Sequence, residues 1–226
     1  VSGDVRSYKL TLVEGKTFRE LLVSIQSHPH VKPELNSSDD AWILDTFGDV
    51  NGPEGWLFPD TYYFLADTTD KALIMRAYRA MQNNLDQIWQ ARASDIPIAT
   101  PYQALILASI IEKETSLGSE RADIAGVFVR RLQKNMRLQT DPTIIYGLGE
   151  RYEGDITRAH LRDKRNIYNT YQHGGLPPTP IASPGRASLE AAVRPNKGSA
   201  LYFVADGDGS HVFSNTLADH QRAVKA

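Results

Sequence analysis

The spacing of hydrophobic positions changes several times along the chain, and each change predicts an element. Residues 8–13, YKLTLV, alternate apolar and polar side chains, the pattern of a half-buried strand. Glu14-Gly15 supplies a turn, and Thr17 then caps FRELLVSIQ, in which Phe18, Leu21, Leu22 and Ile25 recur at helical spacing. A turn-rich stretch, HPHVKPELNSSDD, separates that helix from a second short one predicted over 41–47. This strand–helix–helix opening reads as a small module of its own, residues 1–50. The next segment, NGPEGWLFPDTYYF (51–64), is punctuated by Pro and Gly and reads as an aromatic-rich loop. It serves either as a linker that packs its rings or as a binding segment.

Helical spacing returns over 69–93, where Leu73, Ala77, Ala80, Met81, Leu85 and Ile88 share a face. Thr100-Pro101-Tyr102-Gln103 is a capping box with Pro at the first helical position. The helix it opens carries LILASIIEKET (105–115), an almost unbroken apolar run that ends in two carboxylates. A further helix is predicted over 119–134, with Ala125, Phe128, Val129 and Leu132 on one side. LQTDPTIIYGLG (138–149) reads as a loop, and YNTYQHGGLPPTPIASPG (168–185) as an ordered, irregular one. A short helix over 188–193 precedes ALYFVAD and SHVFS, which flank GDG as a hairpin does. The fold class is α+β: the small opening module, then a mixed, helix-rich domain over 51–226 that closes with a C-terminal hairpin.

Composition narrows the chemistry. With 226 residues and 41% hydrophobic content the chain can bury a substantial core. A net charge of -2 carries no nucleic-acid footprint. There are no cysteines, which removes disulfides and thiol chemistry. No run approaches the ~20 apolar residues of a membrane span. The first residue is Val1, so the sequence reads as a processed form or a piece of something longer. There is no GxSxG elbow, no phosphate-cradling GxxxxGK[ST] and no HExxH pairing among the six histidines. Asp206-Gly-Asp208-Gly-Ser210 lacks the Gly and Glu that a calcium loop needs at its sixth and twelfth positions, and reads as a hairpin turn. Arg130, Arg131, Lys134 and Arg137 form a basic cluster, read as a solvated helix face in preference to a seat for an anionic polymer.

The two carboxylates of EKE pose the sharper question. Residues two apart on a helix do not face each other, so Glu112 and Glu114 are not a pair acting on one bond. Glu114 follows Ile110, Ile111 and Leu107 by one and two turns, and so lies on the more apolar side. Burial there raises a carboxyl pKa and lets it hold a proton at neutral pH, which is what a general acid requires. The bland alternative is that both are ordinary helix-end charges, paired with Lys113 or Arg121.

Several ordered segments together carry a resemblance: EGWLFPDTYYF (54–64), LASIIEKET (107–115), FVRRLQKNMRLQTDPTIIYGLG (128–149), YNTYQHGGLPPTPIASPG (168–185) and ALYFVADGDGSHVFSNTLADH (200–220). They resemble the YceG-like endolytic murein (lytic) transglycosylases, and the opening module more weakly resembles that family's LysM-like subdomain. The resemblance implies internal cleavage of peptidoglycan glycan strands at the MurNAc-β-1,4-GlcNAc bond, leaving 1,6-anhydro-MurNAc ends. It implies an N-terminal membrane anchor, absent from this sequence, and a catalytic domain on the cell-wall side of the cytoplasmic membrane. It also implies contact with wall-synthesis (penicillin-binding) proteins, and it calls for no cofactor, metal or nucleic acid. The family's catalytic glutamate falls on Glu114. Around it, Gln139, Thr140 and Asp141 from one loop and Tyr168, Asn169, Thr170 and Tyr171 from another are the expected substrate contacts, or else loop residues bonding their own backbone. Thr179 departs from the family pattern in GLPPTPI, which bears on loop geometry. Two other functions stay open: a hydrolytic muramidase with Asp141 as second carboxylate, and a non-catalytic peptidoglycan-binding protein.

Overall fold

The computed structural model describes residues 6–36, 41–48 and 52–225. Strand β1 (Ser7–Thr11) points Leu10 inward, and helix α1 (Phe18–Gln26) buries Phe18, Leu21, Leu22 and Ile25. Thr17 and Glu20 close a full capping box at its start. A two-residue strand, β2 (Val31–Lys32), leads towards α2 (Ala41–Phe47), which buries Ile43 and Phe47. Strand β3 (Thr61–Leu65) then lies antiparallel to β1, with Leu10 opposite Tyr62 and Tyr8 opposite Phe64. This corrects the loop predicted over 51–64: TYYFL alternates as a strand, and a partner fifty residues away makes it one. The pairing joins β1 to a strand that follows residue 60, and residues 49–51, where the boundary of the opening module is expected, lie outside the described residues.

Short β4 (Thr68–Thr69) runs parallel to β2 and leads into α3 (Asp70–Gln90), which is capped by the Thr69 hydroxyl. Its first turns bury Leu73, Ile74 and Ala77 against β1, α1 and β3, and its last turns bury Met81, Leu85 and Ile88 in a second cluster. One helix thus serves two cores.

The second core is built around α4 (Pro101–Glu114). Thr100 accepts from the Gln103 N–H at 3.2 Å, while the Gln103 side chain accepts from Ala99, one residue ahead of the box geometry. Every residue from Ala104 to Ile111 is buried, so this helix is central rather than amphipathic. Against it pack α5 (Arg121–Gln133), α6 (Asp141–Leu148) and, after the small helix α7 (Arg158–Arg162), helix α8 (Arg186–Val193). Helix α6 corrects the loop predicted over 138–149. Its Pro142 stands in the first turn, where no N–H is required, and Gly149 ends it at φ 56°. The hairpin β5 (Tyr202–Ala205) and β6 (His211–Ser214) forms as predicted, with helix α9 (Leu217–Ala223) folded back on it. Among the described residues no helix is long and apolar enough to cross a membrane.

Candidate active site

Helix α4 ends at Glu114, and Thr115 turns the chain into an extended conformation. The carboxyl of Glu114 thereby emerges from the central core into a cleft of about 520 Å³ between α5, the start of α6 and the hairpin. Glu112 and Glu114 diverge, as their spacing predicts. Glu112 accepts from Arg121 at 3.3 Å and from the Gly185 N–H at 3.0 Å. Its side chain is only 6% exposed, so the apolar flank does not distinguish the two carboxylates. Their partners do. Glu114 meets no guanidinium at bonding distance among the described residues. It accepts one hydrogen bond, from the Thr140 hydroxyl. Burial pushes its pKa up to about 7, the nearby Asp141 charge adds to the rise, and the Thr140 bond, His211 and Arg131 oppose it.

Thr140 is held by a small threonine cluster. Its N–H donates to the Thr170 hydroxyl at 3.1 Å, and its carbonyl accepts from Thr143 at 2.7 Å. Thr143 and Thr170 share a further hydrogen bond at 2.9 Å. Gln139, beside it, sits at φ 53°, an uncommon conformation for a side-chain-bearing residue, and its N–H is fixed by the Thr170 carbonyl at 3.2 Å. Asp141 opens α6 and accepts from the Tyr171 hydroxyl at 2.7 Å. Burial and that carboxylate hold the Tyr171 phenol above its ordinary pKa, so it stays a donor.

Five of the residues singled out from the sequence, Glu114, Gln139, Thr140, Asp141 and Tyr171, line this one cleft. The others lie behind it. Asn169 is fully buried and donates to the carbonyls of His160 and Asp163, both at 3.0 Å. Thr170 braces the 139–140 segment from below. Tyr168 packs edge-on to Tyr146 and bonds Thr179 at 2.9 Å, so the departure at Thr179 is absorbed inside the Pro-rich loop.

The basic cluster is the solvated face expected of it only in part: Lys134 and Arg137 are exposed, Arg130 is half-buried and Arg131 turns inward. Arg131 is buried and donates to the carbonyls of Leu201 at 2.6 Å and Leu138 at 2.8 Å while its guanidinium covers the Tyr202 ring. Arg130 donates to Ala200 at 2.7 Å, and Arg137 to Tyr171 at 2.8 Å. Arg130 and Arg131 staple α5 to the hairpin and its flanks, and Arg137 ties the segment after α5 to the 168–185 loop, because backbone carbonyls leaving the core need donors. The sequence reading missed the cleft's opposite wall: Arg131, Tyr202, His211 and His220. His211 is oriented by Glu120, which accepts from its N–H at 2.9 Å and its Nδ1 at 2.7 Å. No local pattern in SHVFS announces this, since Glu120 is 91 residues away.

A half-buried carboxyl that keeps a proton near neutrality, in a cleft lined by hydroxyls, amides and aromatic rings, is suited to donate that proton to an ether oxygen of a polar, ring-containing polymer.

The YceG-like family model matches residues 1–226. The endolytic murein transglycosylase of Bacillus subtilis is 38% identical over 170 residues, 75% of this chain and 46% of that protein. That of Streptococcus pneumoniae strain D39 is 35% identical over 175 residues, 76% of this chain and 31% of that protein. This chain therefore spans less than half the length of either relative. The crystal structure of a yceG-like protein from Listeria monocytogenes superposes with a TM-score of 0.73 at 32% identity, over 95% of this chain and 75% of that one.

Proposed function

The chain belongs to the YceG-like family, and from that premise we propose that it cuts the glycan strands of peptidoglycan internally, with Glu114 as its single acid and base. The names of the Bacillus and Streptococcus relatives give the reaction class. The observation that carries the residue assignment is the Glu114 carboxyl, held in the cleft by Thr140 with its pKa raised to about 7.

Glu114 donates its proton to the GlcNAc oxygen as the bond from the MurNAc anomeric carbon breaks. The carboxylate so formed takes the proton of the MurNAc C6 hydroxyl, whose oxygen attacks that carbon and closes the 1,6-anhydro ring. The proton count on Glu114 is restored and no water is consumed. Tyr171, Gln139 and Asp141 supply donors and acceptors for hydroxyl and N-acetyl groups, and Tyr202 offers a ring face to a sugar. The same reading places the work on the cell-wall side of the cytoplasmic membrane, where this polymer lies. The antiparallel pairing of β1 with β3, packed with α1 and α2, supports the LysM-like reading of the opening unit.

One observation favours a second reading: Asp141 shares the cleft with Glu114, as the second carboxylate of a hydrolytic muramidase would. Digesting purified glycan strands and weighing the products separates the two. The lytic reading expects internal fragments with anhydro ends, and a loss of at least ~10²-fold on Glu114→Gln. Products heavier by one water would establish the muramidase. Equal cleavage by parent and variant would remove Glu114 from the chemistry, and glycan bound but uncut by the parent would leave a binding protein.

A further inference from the structure

Two residues of the cleft wall have no part in the chemistry above, Leu217 and His220, and both belong to α9. Thr216 caps that helix by accepting from the Asp219 N–H at 3.2 Å, and α9 lies back against β5 and β6. Leu217 and His220 are three residues apart, so they stand on one face of the helix. That face borders the same space as Glu114.

His220 is held by its ring, which stacks on Tyr202 with centroids 5.3 Å apart and planes 21° apart. Its Nδ1 is buried and has no hydrogen-bond partner among the described residues. A hydrogen on that nitrogen would be a buried donor left unsatisfied, the rarer and costlier kind of orphan. The ring's hydrogen therefore sits on Nε2, which makes Nε2 a donor. For packing alone an imidazole is a poor choice here, since phenylalanine would cover Tyr202 as well and bury no nitrogen. Leu217 is the complement: it is 52% exposed, an apolar side chain presented to the cleft and not packed beneath it.

A donor and an apolar side chain one helical turn apart fit an acetamido group, whose carbonyl accepts and whose methyl needs an apolar neighbour. A bare hydroxyl would use the first and leave the second idle, and a charged amino group suits neither. We propose that His220 and Leu217 form a seat for an N-acetyl group of the glycan, with His220 Nε2–H donating to the carbonyl, so that this wall selects N-acetylated over de-N-acetylated strands. This rests on the glycan-cleaving function proposed above.

His220→Phe tests the seat, because it keeps the stack on Tyr202 and removes the unsatisfied nitrogen. The variant should melt at or above the parent's temperature, while its kcat/KM on N-acetylated strands falls at least about tenfold. Both proteins are then given strands whose N-acetyl groups have been removed. The parent should cut these at least about tenfold more slowly than acetylated ones, and His220→Phe should lose most of that preference. His220→Gln, which can return an N–H to the position of Nε2, should recover part of it, and Leu217→Ser, at an exposed site, should lose part of it. A His220→Phe enzyme with the parent's rate and preference would reduce the imidazole to packing and overturn the seat. A slower variant with an unchanged preference would overturn it too, since the ring would then meet some group other than N-acetyl. Either result leaves cleavage by the parent standing, whereas a parent that cuts neither kind of strand would overturn the proposed function as well.

Discussion

Glu112 and Glu114 are separated by one residue, yet Glu112 faces the Arg121 guanidinium and Glu114 faces a hydroxyl. The difference predicts a pH profile. Glu114 acts first as an acid, so the free enzyme must carry its proton. With its pKa pushed up to about 7, kcat/KM should be level below that value and fall tenfold per pH unit above it. The Asp141 charge contributes to the rise by disfavouring a second negative charge nearby. Asp141→Asn removes that repulsion, so the falling limb should move to lower pH. Under the lytic reading its activity on the acid side of the limb should drop by less than the ~10²-fold that loss of a catalytic base costs. A pH series on the two proteins measures both quantities. A limb that stays in place, or activity lost at every pH, would show that Asp141 does more than tune its neighbour.

At the scale of elements, α6 brings Asp141 and the Thr140 segment to the acid, and its placement depends on a close approach at Gly147. A Cβ there would meet Asn166 Oδ1 at 2.0 Å. Asn166 cannot swing away freely, since it is buried and bonds the Ile144 carbonyl at 3.2 Å and the Tyr168 N–H at 3.0 Å. Gly147→Ala should therefore destabilise the protein by about 1–3 kcal/mol, against the small gain alanine gives an unconstrained helix. Chemical denaturation reads that cost, and the displaced helix should lower glycan cleavage as well. Neither effect would appear if Asn166 rearranged at no cost. The same helix shows where sequence reading stops. Thr17, Thr100 and the apolar run of α4 carry their signals within a few residues, so those elements were legible. DPTIIYGL was read as a loop from Pro142 and Gly149, although Pro in a first turn and Gly at a C-terminus are also what bound a helix. Strand β3 and the His211 wall depend on partners fifty or more residues away. Asn169 and Thr170 have the side chains a sugar site wants, but buried backbone groups take up those hydrogen bonds first.

Across the whole molecule, α3 shares its apolar face between two cores, and Glu54 ties them a second time. Its carboxyl accepts from the Phe18 N–H of α1 at 3.0 Å, from the Gly55 N–H at 3.2 Å and from the Tyr146 hydroxyl of α6 at 3.1 Å. Burial outweighs these bonds and pushes its pKa up to about 7, from an ordinary value of 4.5. The folded state therefore binds a proton more tightly than the unfolded chain. Between about pH 4.5 and 7 the folded protein holds more protons, so stability is greatest below the unfolded value and falls as pH rises through the folded one. At about 1.4 kcal/mol per pH unit, that separation is worth on the order of 3 kcal/mol, with a similar share from Glu114. Glu54→Gln keeps an oxygen for the two N–H groups and turns its amide towards Tyr146, which can accept in place of donating. The variant should be less dependent on pH than the parent, losing roughly half of the stability slope between pH 5 and 8, and Glu114→Gln should remove most of the remainder. Urea midpoints across that range test this. A slope unchanged by Glu54→Gln would mean that water reaches the carboxyl and that the junction between the two cores is looser than its hydrogen bonds imply.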